Sequence, residues 1–141
     1  MLLLRVDGFM GGGVAILARK DISFGESKSV AFTFLCELLF VDFIFDSCRF
    51  LLIAVYRRPA TSVADSKKFF DQVSAWSAVG HSSILVGDFK VPLTSIYPTK
   101  KSTCFFDEFL ALTNFFVLGS EPTFSGHFLD LLLSSDPALI S

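Results

Sequence analysis

Two aspartates stand in apolar surroundings, where an ionised carboxylate is costly unless it has a partner. Asp88 follows a short apolar run and Gly87, so it is predicted to lie at the end of a buried strand, and Asp130 interrupts a second apolar run. Carboxylates that converge from neighbouring strands suit Mg²⁺, which can polarise a phosphodiester. The alternative for each aspartate is a structural role in capping a turn or a helix.

Tyr56 and the basic residues near it are the next candidates for chemistry. Tyr56 ends a continuously apolar run and is followed by Arg57 and Arg58. The phenol is placed to orient or hydrogen-bond a phosphate.

The elements that position these residues follow from the hydrophobic periodicity. Gly11–Gly13 precede a predicted strand over 14–18, residues 29–45 contain two strands, and Asp46 and Ser47 form a hairpin turn. The apolar run 50–55 suits a strand that is covered on both faces. Residues 83–88, 115–118 and 129–134 are the remaining predicted strands.

Two amphipathic helices are predicted between these strands. The first covers 62–79, begins with Ser62 as its cap and Asp65 three residues later, and ends at Gly80. A polar loop over 90–102 leads to a second helix over 103–113. The apolar residues of the first helix are Phe69, Phe70, Val73 and Trp76, and those of the second are Phe105, Phe106, Phe109, Leu110 and Leu112. This order of elements predicts an α/β layered sandwich.

Composition limits the possible classes of protein. The 141 residues suit one domain over 1–141, with 52% hydrophobic residues and 18% charged residues. A net charge of −2 gives no global basic field for nucleic acid. No apolar run is long and uncharged enough to span a membrane, and no signal peptide is recognised, so we expect an intracellular protein, nuclear or cytoplasmic. Cys36, Cys48 and Cys104 are expected to be buried, reduced thiols.

Five short segments, in this order, resemble the endonuclease/exonuclease/phosphatase superfamily. They are most similar to the apurinic-type endonuclease domain of non-LTR retrotransposons, the reverse-transcriptase-associated nuclease of these elements. The resemblance covers nearly the whole chain. The matching segments are residues 11–16, residues 55–59, residues 84–89, residues 122–124 and residues 129–137.

The resemblance implies a fold, a reaction and a set of site residues. The fold would be a DNase I-like sandwich, and the reaction a Mg²⁺-dependent hydrolysis that nicks DNA. Asp88 would orient or deprotonate the attacking water, Tyr56 would contact the scissile phosphate, and Asp130 would belong to the carboxylate network. The residues that would contact the DNA substrate are Arg57, Arg58 and Thr123, and Lys100 and Lys101 would also contact phosphates. The alternative for the four basic residues is a solvated surface.

The chain departs from the family pattern in three places. The family motif is Gly-Asp-Phe-Asn, and Lys90 stands here in place of the asparagine. Asp7 is the sole acidic residue before the glycines, where the family has a metal-binding glutamate, and His127 precedes Asp130 where the family ends in Ser-Asp-His. We therefore expect a fold incomplete at both ends, no intact metal site, and an impaired or inactive enzyme, a pseudoenzyme in which Lys90 pairs with Asp88 or Asp130.

Two other functions remain open from the sequence. One is a non-catalytic fragment that interacts with a partner or with itself through open sheet edges, with residues 38–45 as the candidate adhesive strand. The other is a β-rich domain that binds an apolar ligand.

Overall fold

The computed structural model describes residues 2–7, 13–32, 36–58, 61–78, 81–93, 101–118 and 128–140. Within these ranges, strands and two α-helices follow one another along the chain, and a 3₁₀ turn over Pro137–Ile140 ends the described part. The elements are β1 (Leu2–Asp7), β2 (Gly13–Ala18), β3 (Ser23–Phe32), β4 (Cys36–Phe45), β5 (Cys48–Arg57), α1 (Val63–Ser77), β6 (Ser82–Leu93), α2 (Lys101–Thr113), β7 (Phe116–Val117) and β8 (Phe128–Ser134).

A six-stranded mixed sheet forms the central layer, in the order β3-β4-β5-β6-β8-β7. Only β5 and β6 pair in parallel among these strands; α1 connects them, as a parallel pair requires a crossover. The strands β1 and β2 form a separate antiparallel hairpin. The predicted α/β layered sandwich is therefore confirmed.

One face of the sheet, called here the helix face, packs against α1 and α2. Ile53 of β5 and Leu85 of β6 are fully buried there against Phe69 and Val73 of α1 and Phe106 of α2. These side chains form the main hydrophobic core. Burial of such large apolar groups stabilises the fold by about 1.5–3 kcal/mol per side chain.

The opposite face, called here the hairpin face, is covered in part by β1 and β2. Val14 of β2 packs against Leu39 and Val41 of β4 and Ala54 of β5 in a smaller apolar cluster. Because Ala54 lies in this cluster and Ile53 in the main core, β5 is covered on both faces, as its continuous apolar run predicts.

Local signals in the sequence are confirmed at the β4–β5 turn and at the start of α1. Asp46 and Ser47 have positive φ angles of 48° and 64°, the geometry of a type I′ hairpin turn. Ser62 caps α1, accepting a hydrogen bond from the Asp65 amide at 3.1 Å. The predicted C-terminal Gly80 lies outside the described residues.

Several boundaries differ from the expectations. Strand β6 continues to Leu93, so the predicted loop does not begin at Lys90, and β3 begins at Ser23 rather than at residue 29. Residues 2–7 form β1, which the sequence analysis did not predict. Leu112 is 80% exposed and does not contribute to the apolar side of α2.

Two further expectations about side chains and edges are wrong. Cys48 is exposed because it begins β5 next to the turn, whereas Cys36 is buried as expected and Cys104 has no described side chain. Residues 38–45 are not an edge strand, since β4 pairs with β3 on one side and β5 on the other. No described helix is long and apolar enough to cross a membrane.

Candidate functional site

The three predicted catalytic residues lie side by side on adjacent strands. Tyr56 of β5 is directly opposite Asp88 of β6, and Asp88 is directly opposite Asp130 of β8. Directly paired residues point to the same face of a sheet. This face is the hairpin face, because Ala54 of β5 belongs to the cluster beneath the hairpin and Tyr56 packs beside it.

A fourth polar residue extends this row and was missed by the sequence analysis. Glu37 of β4 pairs directly with Tyr56 in the antiparallel register. Glu37 sits in an apolar run, the same signal that marked Asp130. We call Glu37, Tyr56, Asp88 and Asp130 the polar row.

Lys90 forms an ion pair with Asp88 of the polar row. Its Nζ lies 2.5 Å from Oδ2 of Asp88, and the Asp88 Oδ1 accepts a hydrogen bond from the Lys90 amide at 3.3 Å. The hydrogen bond to Asp88, together with the charges of Asp88 and Asp130, raises the pKa of Lys90 above its ordinary value. Lys90 is therefore an ammonium at neutral pH, and the pairing with Asp88 anticipated from the sequence is present.

Glycine is required before Asp88 because β5 passes close to the β6 backbone. Gly87 has a φ of 141°, and a Cβ atom there would lie 1.9 Å from the carbonyl oxygen of Val55. Any side chain at position 87 would displace one of the two parallel strands. Gly87 thus sets the approach of β5 and β6 that brings Tyr56 and Asp88 together.

Lys90 has a left-handed backbone conformation, with a φ of 48°. This conformation costs roughly 1–2 kcal/mol for most L-residues, whereas asparagine and aspartate adopt it more readily. The asparagine of the family motif suits this backbone better than lysine does. Asparagine at position 90 is therefore compatible with the structure.

Arg57 lies on the helix face, where it has no access to a phosphate at the hairpin face. It is 4% exposed, and its guanidinium donates hydrogen bonds to the carbonyl oxygens of Phe89 at 3.0 Å and Lys90 at 3.2 Å and to Ser66 Oγ at 2.5 Å. Burial lowers the pKa of Arg57 from its ordinary value. This environment favours a structural role over the predicted contact with DNA.

Arg58 lies beside the polar row, where it has an acidic neighbour. Its Nη2 lies 3.6 Å from Oε1 of Glu37, while the buried Oε2 of Glu37 has no hydrogen-bond partner among the described residues. Thr123 and Lys100 lie outside the described residues, and the side chain of Lys101 is not described. Their predicted roles stay predictions.

The described donors do not fit a Mg²⁺ site. No group of three histidine, cysteine, aspartate or glutamate side chains in the described ranges is arranged to hold a metal ion. Asp88, the central carboxylate of the polar row, is in contact with the Lys90 ammonium. Asp7 lies at the end of β1, and its side chain is not described.

Solved structures with a similar fold include three proteins of one superfamily. The endonuclease domain of TRAS1, a telomere-specific non-LTR retrotransposon, is 13% identical with a TM-score of 0.66, over 97% of this chain and 67% of that one. An endonuclease/exonuclease/phosphatase family protein from Leptotrichia buccalis is 14% identical with a TM-score of 0.68, over 96% and 59% of the two chains. TDP2 from D. rerio, complexed with a single strand DNA product, is 14% identical with a TM-score of 0.58, over 94% and 61%.

The similarity is one of fold, with little shared sequence. No protein-family model matches the sequence, and no curated protein matches it either. The chain spans about three fifths of the length of the L. buccalis and D. rerio structures. The chain therefore has the DNase I-like fold of these structures, and the fold expected from the motif resemblance is confirmed.

Proposed function

We propose that this chain derives from a divalent-metal-dependent phosphodiester hydrolase, a DNA-nicking endonuclease of a retroelement, and that it has lost most or all catalytic activity. The observation that carries the proposal is the 2.5 Å contact between Lys90 and Asp88. By the family resemblance the polar row would be the phosphodiesterase site, and its central carboxylate, Asp88, is paired with an ammonium group.

Electrostatics explains why this contact opposes metal binding. Two unit charges 4 Å apart interact with about 4 kcal/mol at an effective dielectric of 20, and the interaction of an ammonium with a divalent cation is twice that. Even if relaxation of Lys90 removed half of this repulsion, the affinity for Mg²⁺ would fall by several orders of magnitude.

Among the described residues, the charges at the polar row give DNA no compensating attraction. The carboxylates of the polar row are Glu37, Asp88 and Asp130, against the two nearby cations Arg58 and Lys90. Both cations already lie beside carboxylates, so a phosphodiester approaching without a metal ion meets a site with excess negative charge. We therefore expect weak DNA binding at this face.

Nicking of supercoiled plasmid DNA tests the proposal directly. We expect the wild-type protein to give no Mg²⁺-stimulated nicking above the rate in EDTA. Lys90→Asn removes the ammonium and suits the left-handed backbone, so it is expected to bind Mn²⁺, followed by EPR, at least tenfold more tightly than wild type.

The controls separate the site from general effects of substitution. Lys67 forms a comparable ion pair with Asp71 on α1, so Lys67→Asn changes the same residue types away from the site and should not alter Mn²⁺ affinity. The proposal is wrong if the wild-type protein nicks DNA robustly with Mg²⁺ and loses this activity in Asp88→Ala.

A second candidate function is self-association without catalysis. Its support is a set of partly exposed apolar side chains on the hairpin face of the strands that β1 and β2 leave uncovered. Val86 of β6 is 38% exposed, Leu132 of β8 is 39% exposed and Phe116 of β7 is 43% exposed. Since a second copy of the chain would cover these side chains, this alternative predicts a dimer in solution.

A further inference from the structure

Arg57, on the helix face, donates hydrogen bonds to the backbone of β6 around Lys90. The Lys90–Asp88 pair lies on the opposite, hairpin face. One Nη1 atom donates to two successive carbonyl oxygens, those of Phe89 at 3.0 Å and Lys90 at 3.2 Å. These two carbonyl groups flank the left-handed residue Lys90, whose φ is 48°. Arg57 therefore favours the backbone conformation from which the Lys90 side chain extends.

Arg57 also contacts the start of α1. Nη2 of Arg57 donates to Oγ of Ser66, and Ser66 Oγ in turn donates to the carbonyl oxygen of Ser62, the cap of α1. Both Arg57 and Ser66 are buried, so water does not compete with these hydrogen bonds. Arg57, at the end of β5, thus links the start of α1 to the backbone around Lys90 in β6.

On the hairpin face, Asp88 contacts both the backbone and the side chain of Lys90. Asp88 accepts from the Lys90 amide and contacts the Lys90 ammonium, while Tyr56 and Asp130 are the other titratable groups that face this lysine. Lys90 is 27% exposed at its side chain, so the ion pair is open to solvent and depends on a well-placed backbone. Without the carbonyl contacts, Lys90 would be free to leave the left-handed conformation.

We propose that Arg57 is a positioning residue that directs the Lys90 ammonium onto Asp88 and couples this pair to α1 through Ser66. The functional consequence of this role rests on the proposed function, because the Lys90–Asp88 pair is the contact that opposes metal binding. The positioning of Lys90 by Arg57 does not depend on whether the protein cleaves DNA.

Site-resolved chemical labelling of lysines in the folded protein tests this role. Wild type, Arg57→Met, Arg57→Lys and Ser66→Ala would be treated with an amine-selective acylating reagent at one pH, and the modification of each lysine followed by mass spectrometry. Loss of the ion pair lowers the pKa of the Lys90 amine toward its ordinary value, so Arg57→Met should raise its labelling rate about threefold, the size of effect typical of a solvent-exposed ion pair. Arg57→Lys and Ser66→Ala should give smaller increases in the same direction.

Lys67 and Arg49 provide the controls. Lys67 is paired with Asp71 on α1, so its labelling rate should stay constant in every folded variant and rise together with that of Lys90 if the fold is lost. Arg49 pairs with Asp42 at the other end of β5, so Arg49→Met should leave Lys90 unchanged.

The outcomes distinguish this inference from the proposed function. An unchanged Lys90 rate in folded Arg57→Met overturns the positioning role; if that variant does not fold, unchanged rates in both Arg57→Lys and Ser66→Ala overturn it. Plasmid nicking by the wild-type protein would overturn the proposed function and leave the labelling result standing.

Discussion

Tyr56 and Arg57 are neighbours in sequence, yet they lie on opposite faces of β5 and in different surroundings. On the helix face, Arg57 is buried and shared among two backbone carbonyls and one hydroxyl. On the hairpin face, Tyr56 is half-buried in the polar row, where Lys90 is paired with Asp88 and Arg58 lies beside Glu37. On the helix face, the buried hydrogen bonds of Arg57 fix the backbone of β6. On the hairpin face, the side chains of the polar row are the groups available for chemistry.

This comparison bears on the proposed loss of catalysis without loss of the fold. Lysine at position 90, where the motif of the resembling family has asparagine, adds a charge on the partly exposed hairpin face, where an ion pair has little effect on stability. A comparable change at Arg57 would leave buried hydrogen-bond acceptors without a donor, which costs about 1–3 kcal/mol for each. Substitutions in the polar row are therefore expected to affect chemistry more than stability.

The largest predicted effect on stability is at Gly87, where β5 and β6 approach closely. A Cβ atom there would overlap the Val55 carbonyl, and its φ of 141° is unfavourable for alanine. Gly87→Ala should therefore lower the free energy of unfolding by more than about 3 kcal/mol, or prevent folding. Chemical denaturation followed by circular dichroism measures this change.

The matched control for Gly87→Ala is its neighbour on β6. Val86 is partly exposed on the hairpin face, so Val86→Ala should cost less than about 1 kcal/mol. Equal losses in the two variants would contradict the close approach of β5 and β6.

A smaller effect is expected from alkaline pH, and it arises on the helix face. Burial raises the pKa of the Cys36 thiol above its ordinary value of 9.0. Above pH 9 the unfolded chain releases this proton while the folded protein retains it. The free energy of unfolding is therefore undiminished below pH 9 and falls as pH rises toward the folded pKa, by up to about 1.4 kcal/mol per pH unit.

Denaturation at pH 8.5–10 checks this dependence. Cys36→Ala should remove the alkaline loss, although the truncation lowers stability at every pH. Cys48→Ser should retain the loss, because the Cys48 thiol is exposed. An alkaline slope that persists in Cys36→Ala would show that another group is responsible.

Local patterns and long-range geometry were not equally predictable from the sequence. The hairpin turn at Asp46 and Ser47 and the Ser62 cap depend on two to four consecutive residues, so their signals were sufficient. The polar row depends on the order β4-β5-β6-β8 and on a register that only pairing defines, so its members were identified singly and Glu37 was missed.

The position of Arg57 on the helix face follows from the alternation of side chains along β5. Successive side chains point to opposite faces, so placing Tyr56 at the site already implied that Arg57 faces away from it. Its partners on β6 and α1 were not predictable, because those hydrogen bonds join residues 9 to 33 positions apart. The exposure of Cys48 similarly follows from its place next to the turn rather than from its residue type.

The smallest predicted effect concerns the uncovered part of the hairpin face. If Val86, Leu132 and Phe116 mediate self-association, sedimentation equilibrium at micromolar concentration should detect a dimer, and Leu132→Ser should weaken it roughly tenfold, because burial of one leucine is worth about 1.5 kcal/mol or more. Leu112→Ser, at an 80% exposed site on α2, should leave the dimer unchanged. A wild-type monomer across this concentration range would exclude the interaction and leave the polar row as the functional part of this face.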